Sequence, residues 1–536
     1  MTELISARQA KERIHGDRIC ALLDVREEGQ FGEAHPFLAV NCPYSHFEER
    51  VARLVPSTHA PTILIDDGDG VAHKAALVMA AMGYENVCCV EGGIPAWRAA
   101  GFNLFKGVYV PSKTLGELVE HLYPLDRLSA VQLADWQAQQ VPFKLFDCRP
   151  PNEFSKMTLP GAQCVPNGEL AHRFSAVVKD EHTPIVLTCA GRTRGLIGVA
   201  GLSLLGVPNP LYALENGTQG WTLAELPLLR GQAPQPQPAM GEADLLISRS
   251  KADALIEAHQ LACIGVEAFE ALAKDASKLV YLVDVRSDAE FAAGHLPGAT
   301  HAWGGQMVQA LDLTVGARRA TVVLTDDTGM RAAVAAFWLR CLGYETFILR
   351  DTPALSLSAD WRINVPKKPS TAARAILDVA DAVEWCKRGD VVLVDLRPSQ
   401  VYRKCHISQA VWANRSRLDS LSTDVPLVLC ADNIEAAQHV AQELANMGRD
   451  VRGLVTAGVD QWREAGVSLV TTPDVPADAQ CVDFLFFVHD RHDGNLESAK
   501  RYLAWEQGLI EQLDHDERAV FELPLASGGP QHSVSQ

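Results

Sequence analysis

The residues best equipped for chemistry form one run of six, Cys189-Ala190-Gly191-Arg192-Thr193-Arg194. It holds a thiol, a small residue and a glycine that permit close approach, a hydroxyl and two guanidinium groups. The run follows the apolar stretch PIVLT and precedes a helical stretch that ends near Gly206. A chain turning from strand into helix there aims several backbone N–H groups and the positive end of the helix dipole at one point. A thiol at that point is expected as a thiolate, a nucleophile that needs no histidine base.

The elements that must position it are written four times. An apolar run ending in Asp-x-Arg recurs at Leu22-Leu23-Asp24-Val25-Arg26, Leu145-Phe146-Asp147-Cys148-Arg149, Leu282-Val283-Asp284-Val285-Arg286 and Leu393-Val394-Asp395-Leu396-Arg397. Each copy then has a second short apolar strand, a loop and a helical stretch closed by Gly83, Gly206, Gly343 or Gly448. Buried β-rich runs alternating with helical periods predict parallel strands covered by helices, an α/β domain. Another strand leads to a Gly and Trp signature at Gly92-Gly93-Ile94-Pro95-Ala96-Trp97, Gly217-Thr218-Gln219-Gly220-Trp221 and Gly458-Val459-Asp460-Gln461-Trp462. In the third copy it has decayed to Asp351-Thr352-Pro353-Ala354-Leu355, with Trp361 further on.

The interval from the Asp-x-Arg aspartate to the loop is the same for 24 to 66, 147 to 189 and 284 to 326. Asp66 and Asp326 therefore stand where Cys189 stands, and a carboxylate cannot carry sulfur. Arg331 keeps the place of Arg194, so an internal Asp to Arg pair is expected in the third loop. In the fourth copy Cys430 falls one residue short when counted back from Gly448, which puts Ala431 in the nucleophile position. The loop after it has two acids and no cation, a poor setting for a reactive thiol. The aspartate-arginine pair survives in copies without the thiol, which marks it as a folding device. His35, His295 and His406 correspond to Thr158 in the second copy, so none of them is a base for Cys189.

These strings, together with Glu290-Phe291-Ala292-Ala293-Gly294-His295-Leu296-Pro297-Gly298-Ala299, resemble the rhodanese family up to about residue 475. The resemblance implies an α/β fold of four tandem rhodanese-like domains, each a mainly parallel β-sheet flanked by helices on both faces. They fall at 1–107, 108–230, 242–365 and 366–475, with a Pro-rich linker at 231–241 dividing two tandem pairs and a tail at 476–536. It further implies a sulfurtransferase in which catalytic Cys189 attacks a sulfane donor such as thiosulfate. The amides of Ala190, Gly191 and Thr193 would then stabilise a persulfide, and Arg192 and Arg194 would hold the donor's anionic part. Cyanide or a thiol would accept the sulfur, and no cofactor or metal is implied. Two alternatives remain open. One is a sulfur-responsive scaffold; the other is a Cys-loop phosphatase or arsenate reductase, whose loops run one residue longer.

The 536 residues and 47% hydrophobic content suit several globular domains. A net charge of −18 disfavours nucleic acid and anionic lipid, and an anionic substrate must meet a local positive site. No apolar run reaches the roughly 20 residues of a membrane helix, and no signal peptide is recognised, so a cytoplasmic enzyme is expected, with a homo-oligomer allowed. The 13 cysteines show no Cys-x-x-Cys spacing, so most are expected reduced, buried and inert. In the tail, a strand-like run from Cys481 to Val488 and one helix from Leu496 to Leu523 are expected to pack on the last domain or on a partner subunit. The final residues from 526 are expected to be disordered.

Overall fold

A computed structural model of the chain describes residues 2–350, 361–421, 424–490 and 495–524. Each copy is built on a strand whose last residue is the Asp of Asp-x-Arg: Cys20–Asp24, Lys144–Asp147, Val280–Asp284 and Val392–Asp395. The strand that leads into the loop pairs with it in parallel, and the register is the same each time. Asp24 faces Ile65, Asp147 faces Thr188, Asp284 faces Thr325 and Asp395 faces Cys430. In the second copy the sheet runs Asp126–Leu128, Leu211–Leu214, Ile185–Thr188, Lys144–Asp147, Gln163–Cys164, all parallel. Alternate strand residues enter different cores, Ile185 and Leu187 on one face, Val186 and Leu145 on the other. Helices cover both faces, as a fully apolar strand requires.

The aspartate-arginine motif explains itself. Asp147 accepts from Arg149 Nε at 2.9 Å and Nη2 at 2.7 Å, and Arg149 Nη2 also donates to Met157 O at 2.5 Å. The other copies repeat this, with Ala34, Gly294 and Cys405 supplying the carbonyl. The arginine ties the strand end to the far side of the next short helix in every copy. His35, His295 and His406 each bond the carbonyl one helical turn back and stack on its ring, a packing role.

The linker does not separate two independent halves. One continuous hydrophobic core runs through the first three copies. The helices Thr193–Leu204 and Met330–Cys341 are buried on nearly every side because they pack between domains. Ala317–Arg318 of the third copy pairs antiparallel with Cys20 and Ala21 of the first, extending its sheet. Copies two and three meet about a quasi-twofold: Arg194 bonds Glu153 of its own copy and Gln306 of the third, while Arg331 bonds Glu290 of its own copy and Glu169 of the second. Copies one and four meet through Arg415, which bonds Glu48 at 2.7 Å and Glu443 at 3.0 Å above the Tyr44 ring.

The tail departs from expectation. Cys481 to Val488 forms turns and the short helix Phe486–His489, because it crosses the helix Glu28–Glu33 of the first copy instead of joining a sheet edge. Gly29 and Gly32 make the crossing possible: a Cβ on Gly29 would stand 2.5 Å from Val482 O, and one on Gly32 2.4 Å from a Leu485 methyl. The long helix is three, Leu496–Gln507, Leu509–Gln512 and His515–Arg518, interrupted after Gln507 and again where Asp514 caps the last. The tail leaves the fourth copy through Arg403 and Ser399, then packs on the first and second and reaches Cys341 of the third. Residues 351–360, 491–494 and 525–536, which hold the decayed Gly and Trp signature, part of the stretch between Val488 and Leu496, and the C-terminus, lie outside the described residues.

Arg331 has no exposed side-chain surface and holds Glu169, Glu290 and Asp327 at 2.6, 2.9 and 2.6 Å. Replacing it by Met strands buried carboxylates, so Arg331→Met should cost about 3–5 kcal/mol in urea unfolding. A loss below about 1 kcal/mol would refute the clamp.

Candidate active site

The strand Ile185–Thr188 is wholly buried, and the chain leaves it through Cys189 into the helix Thr193–Leu204. Cys189 is itself only 2% exposed. The backbone N–H groups of Gly191 and Gly195 lie near its sulfur and favour its charged form. The Gly and Trp signature holds the loop from the other side. Thr218 N–H donates to Cys189 O at 2.8 Å, and Gln219 N–H to Ala190 O at 3.2 Å. Gly217 has φ +51°, and a Cβ there would lie 2.2 Å from Cys189 O. Only a glycine fits. The first copy repeats the clamp, with Ile94 N–H on Asp66 O at 2.8 Å; in the fourth the N–H of Ala457, just before the signature glycine, meets Ala431 O at 3.0 Å instead, and Gly458 has φ −149°.

In the first and third copies a carboxylate occupies the cradle. Asp66 accepts from the N–H groups of Gly68, Gly70 and Ala72 at 2.9–3.1 Å. Asp326 accepts from Gly329 at 2.7 Å and Arg331 at 3.0 Å. Burial pushes the Asp326 carboxyl up to about 6 even with Arg331 beside it. These loops bind their own side chains. In the fourth copy Cys430 faces Asp395, as Thr188 faces Asp147, so Ala431 is the counterpart of Cys189. Cys430 is a strand residue with no exposed surface, and burial drives its thiol well above the ordinary range. Asn433 there simply caps the helix Ile434–Asn446.

The polar side chains of the second loop are all engaged within the protein. Arg192 bonds Glu117 at 2.7 and 3.0 Å, and also Glu120. Arg194 bonds Glu153 at 2.7 and 2.8 Å and Gln306 at 2.9 Å. Both arginines, expected to hold the donor, are thus already neutralised by carboxylates. Thr193 Oγ1 donates to Glu506 Oε1 of the tail at 2.9 Å. The thiol also differs from expectation. Burial, the largest effect, pushes it up; Arg194 and the N–H groups of Gly195 and Gly191 draw it back, and the balance leaves it above its ordinary value. The cations that would draw it further down are shared with acids. Arg194 in turn holds the Glu153 carboxyl at about 2 against burial.

Cys189 opens into a cleft of about 760 Å³ whose walls come from the second, third and fourth domains and the tail. The second domain supplies Ala190, Gly191, Arg192, Thr193, Arg194 and Lys156, the third Gln306, the fourth Lys404, and the tail Phe484 and Glu506. Lys156, Arg230 and Lys404 are exposed at its edge. Motif reading could not find Gln306, Lys404 or Glu506, since each reaches the site only through domain packing. Cys148 and Cys164 are buried free thiols of the adjoining strands, and burial pushes Cys164 up to about 12.

Among the described residues no helix is long and apolar enough to cross a membrane. The rhodanese-like domain model matches residues 6–100, 129–224, 266–351 and 378–465. No curated protein matches the chain. Among solved structures, a thiosulfate sulfurtransferase from Pseudomonas aeruginosa is similar over 97% of this chain and 99% of its own, at 32% identity and a TM-score of 0.87. The Alr3790 protein from Anabaena matches 19% of this chain and 93% of its own, at 23% identity and a TM-score of 0.19. The 3-mercaptopyruvate sulfotransferase SseA from Escherichia coli matches 40% of this chain and 98% of its own, at 16% identity and a TM-score of 0.17. With its four matched segments and a full-length structural relative, the chain belongs to the rhodanese family and carries four rhodanese-like domains.

Proposed function

We propose that the chain is a sulfurtransferase that moves a sulfane sulfur from thiosulfate or a similar donor to a thiophilic acceptor through a persulfide on Cys189. The observation that carries this is the content of the four cradles: carboxylate, thiol, carboxylate and Ala431. Only the second can bond sulfur. Likeness to the full-length thiosulfate sulfurtransferase supports the same reading.

In the first half-reaction the Cys189 thiol gives its proton to solvent and the thiolate attacks the outer sulfur of the donor; the persulfide formed takes a proton back. The donor's S–S bond breaks and sulfite leaves with the electron pair. The N–H groups that meet the resting sulfur then face the persulfide. The negative end of the donor is met by Lys156, Arg230 and Lys404 at the cleft edge, a local positive field on an acidic chain. In the second half-reaction the acceptor attacks the outer sulfur and Cys189 is released. A sulfur-responsive scaffold is the second reading, favoured by the raised thiol and the paired loop arginines; it requires a persulfide that forms but turns over slowly.

Thiosulfate should add about 32 Da, one sulfur atom, to the native chain and to Cys430→Ser but not to Cys189→Ser. Thiocyanate formation from cyanide should follow the same pattern, and activity surviving in Cys189→Ser would refute the assignment. Alkylation of Cys189 by iodoacetamide at pH 7 should be slower than that of free cysteine and should climb as pH rises past 9. Because Arg194 lowers the thiol pKa, Arg194→Met should slow alkylation further. Lys404→Ala should raise KM for thiosulfate about two- to fivefold with kcat held, an effect that fades at high salt. Equal loss in kcat would remove Lys404 from donor binding.

A further inference from the structure

The tail helix Leu496–Gln507 lowers one carboxylate onto the reactive loop. Glu506 is 2% exposed, and its Oε1 accepts from Thr193 Oγ1 at 2.9 Å. Its Oε2 is buried and accepts no hydrogen bond. That atom lies 3.2 Å from where a Cβ on Gly191 would stand, with Gln219 Nε2 at 3.3 Å from the same point. The missing side chain of Gly191 is therefore what leaves it room. Glu506 lines the same cleft as Cys189. Its charge acts on Arg192 and Glu117, which are bonded to each other, and Lys113 of the same cleft lies over the Tyr502 and Trp505 rings of its helix. A buried carboxylate oxygen without a partner is costly, and its retention beside a reactive loop calls for a donor that arrives with the reaction.

We propose that Glu506 is the base that accepts the proton of a thiol acceptor, which makes protonated thiols the acceptor class of this site. The proposal rests on the sulfurtransferase reading above. In the step, the acceptor R–SH gives its proton to Glu506 Oε2, and its sulfur attacks the outer sulfur of Cys189–S–SH. The bond between the two persulfide sulfurs breaks, and its electron pair goes to Cys189. R–S–SH leaves, and the proton passes from Glu506 to the Cys189 thiolate. The acceptor sulfur is oxidised as far as the Cys189 sulfur is reduced, so no outside oxidant or reductant enters.

The test separates acceptors by whether they bring a proton. Native chain and Glu506→Gln are loaded with thiosulfate and freed of donor, and loss of the added mass is timed at about pH 8. The acceptors are 2-mercaptoethanol, which is mainly protonated there, and sulfite and 4-nitrothiophenol, which are anions. Gln keeps an acceptor for Thr193, and loading to the native mass shows that the variant has folded. Discharge to 2-mercaptoethanol should slow about 100-fold in Glu506→Gln, the span of a general base, and discharge to the two anions by no more than about threefold. Equal slowing for all three, no slowing for any, or loading slowed as much as discharge would overturn the proposal. A native chain that takes up no sulfur would instead remove the sulfurtransferase reading beneath it.

Discussion

Backbone N–H groups that converge where a strand turns into a helix must be given an acceptor, and this chain meets that demand in different ways. In two copies an aspartate carboxylate fills the cradle and takes up its N–H groups. In the second copy a sulfur atom sits there, leaving the donors to be shared with whatever the sulfur carries. In the fourth the loop gives up the demand, and an asparagine caps the helix in the ordinary way. The same constraint sets the glycine of the closing signature, because the loop carbonyl must also be met by an N–H from a chain that passes too close for a side chain.

The copies without a thiol are structural partners of the one that has it. Arg194 of the reactive loop is held by Gln306 of the third copy, and Glu169 of the second returns the contact to Arg331. This reciprocity comes from equivalent positions meeting about a quasi-twofold, as two copies of one domain would. One copy has kept a thiol at the interface, and the other has kept the interface. Charge is balanced locally at the loop: each of its arginines has its own carboxylate, which lets guanidinium groups be buried there.

Much of this was legible in the sequence. The Asp-x-Arg strings and the fixed interval to residues 66, 189 and 326 describe strand register, because a parallel pair of buried strands leaves no freedom to slip. The offset of Cys430 by one residue is visible for the same reason. What was not legible depends on pairs of surfaces. The apolar run of Cys481 to Val488 has strand composition, but two helix glycines in the first copy decide that it crosses as a turn. The helices Thr193–Leu204 and Met330–Cys341 are buried nearly all round, and the cover they need comes from packing between domains that no motif announces. The ion pairing of Arg192 with Glu117 and Glu120 follows from a helix, Val110–Leu122, that no motif connects to the loop.

The order in which the wall of the cleft is synthesised has its own consequence. Cys189 and its loop are made early, Gln306 and Lys404 follow, and Glu506 comes after them all. At roughly 5–20 residues per second, a nascent chain spends tens of seconds with the thiol in place and its last neighbour still missing. During that interval the first sheet also waits for Ala317–Arg318 to cover its edge. Maturation of the reactive thiol is thus coupled to elongation: its surroundings are finished only when residue 506 has been added and folded back across three hundred residues of earlier chain.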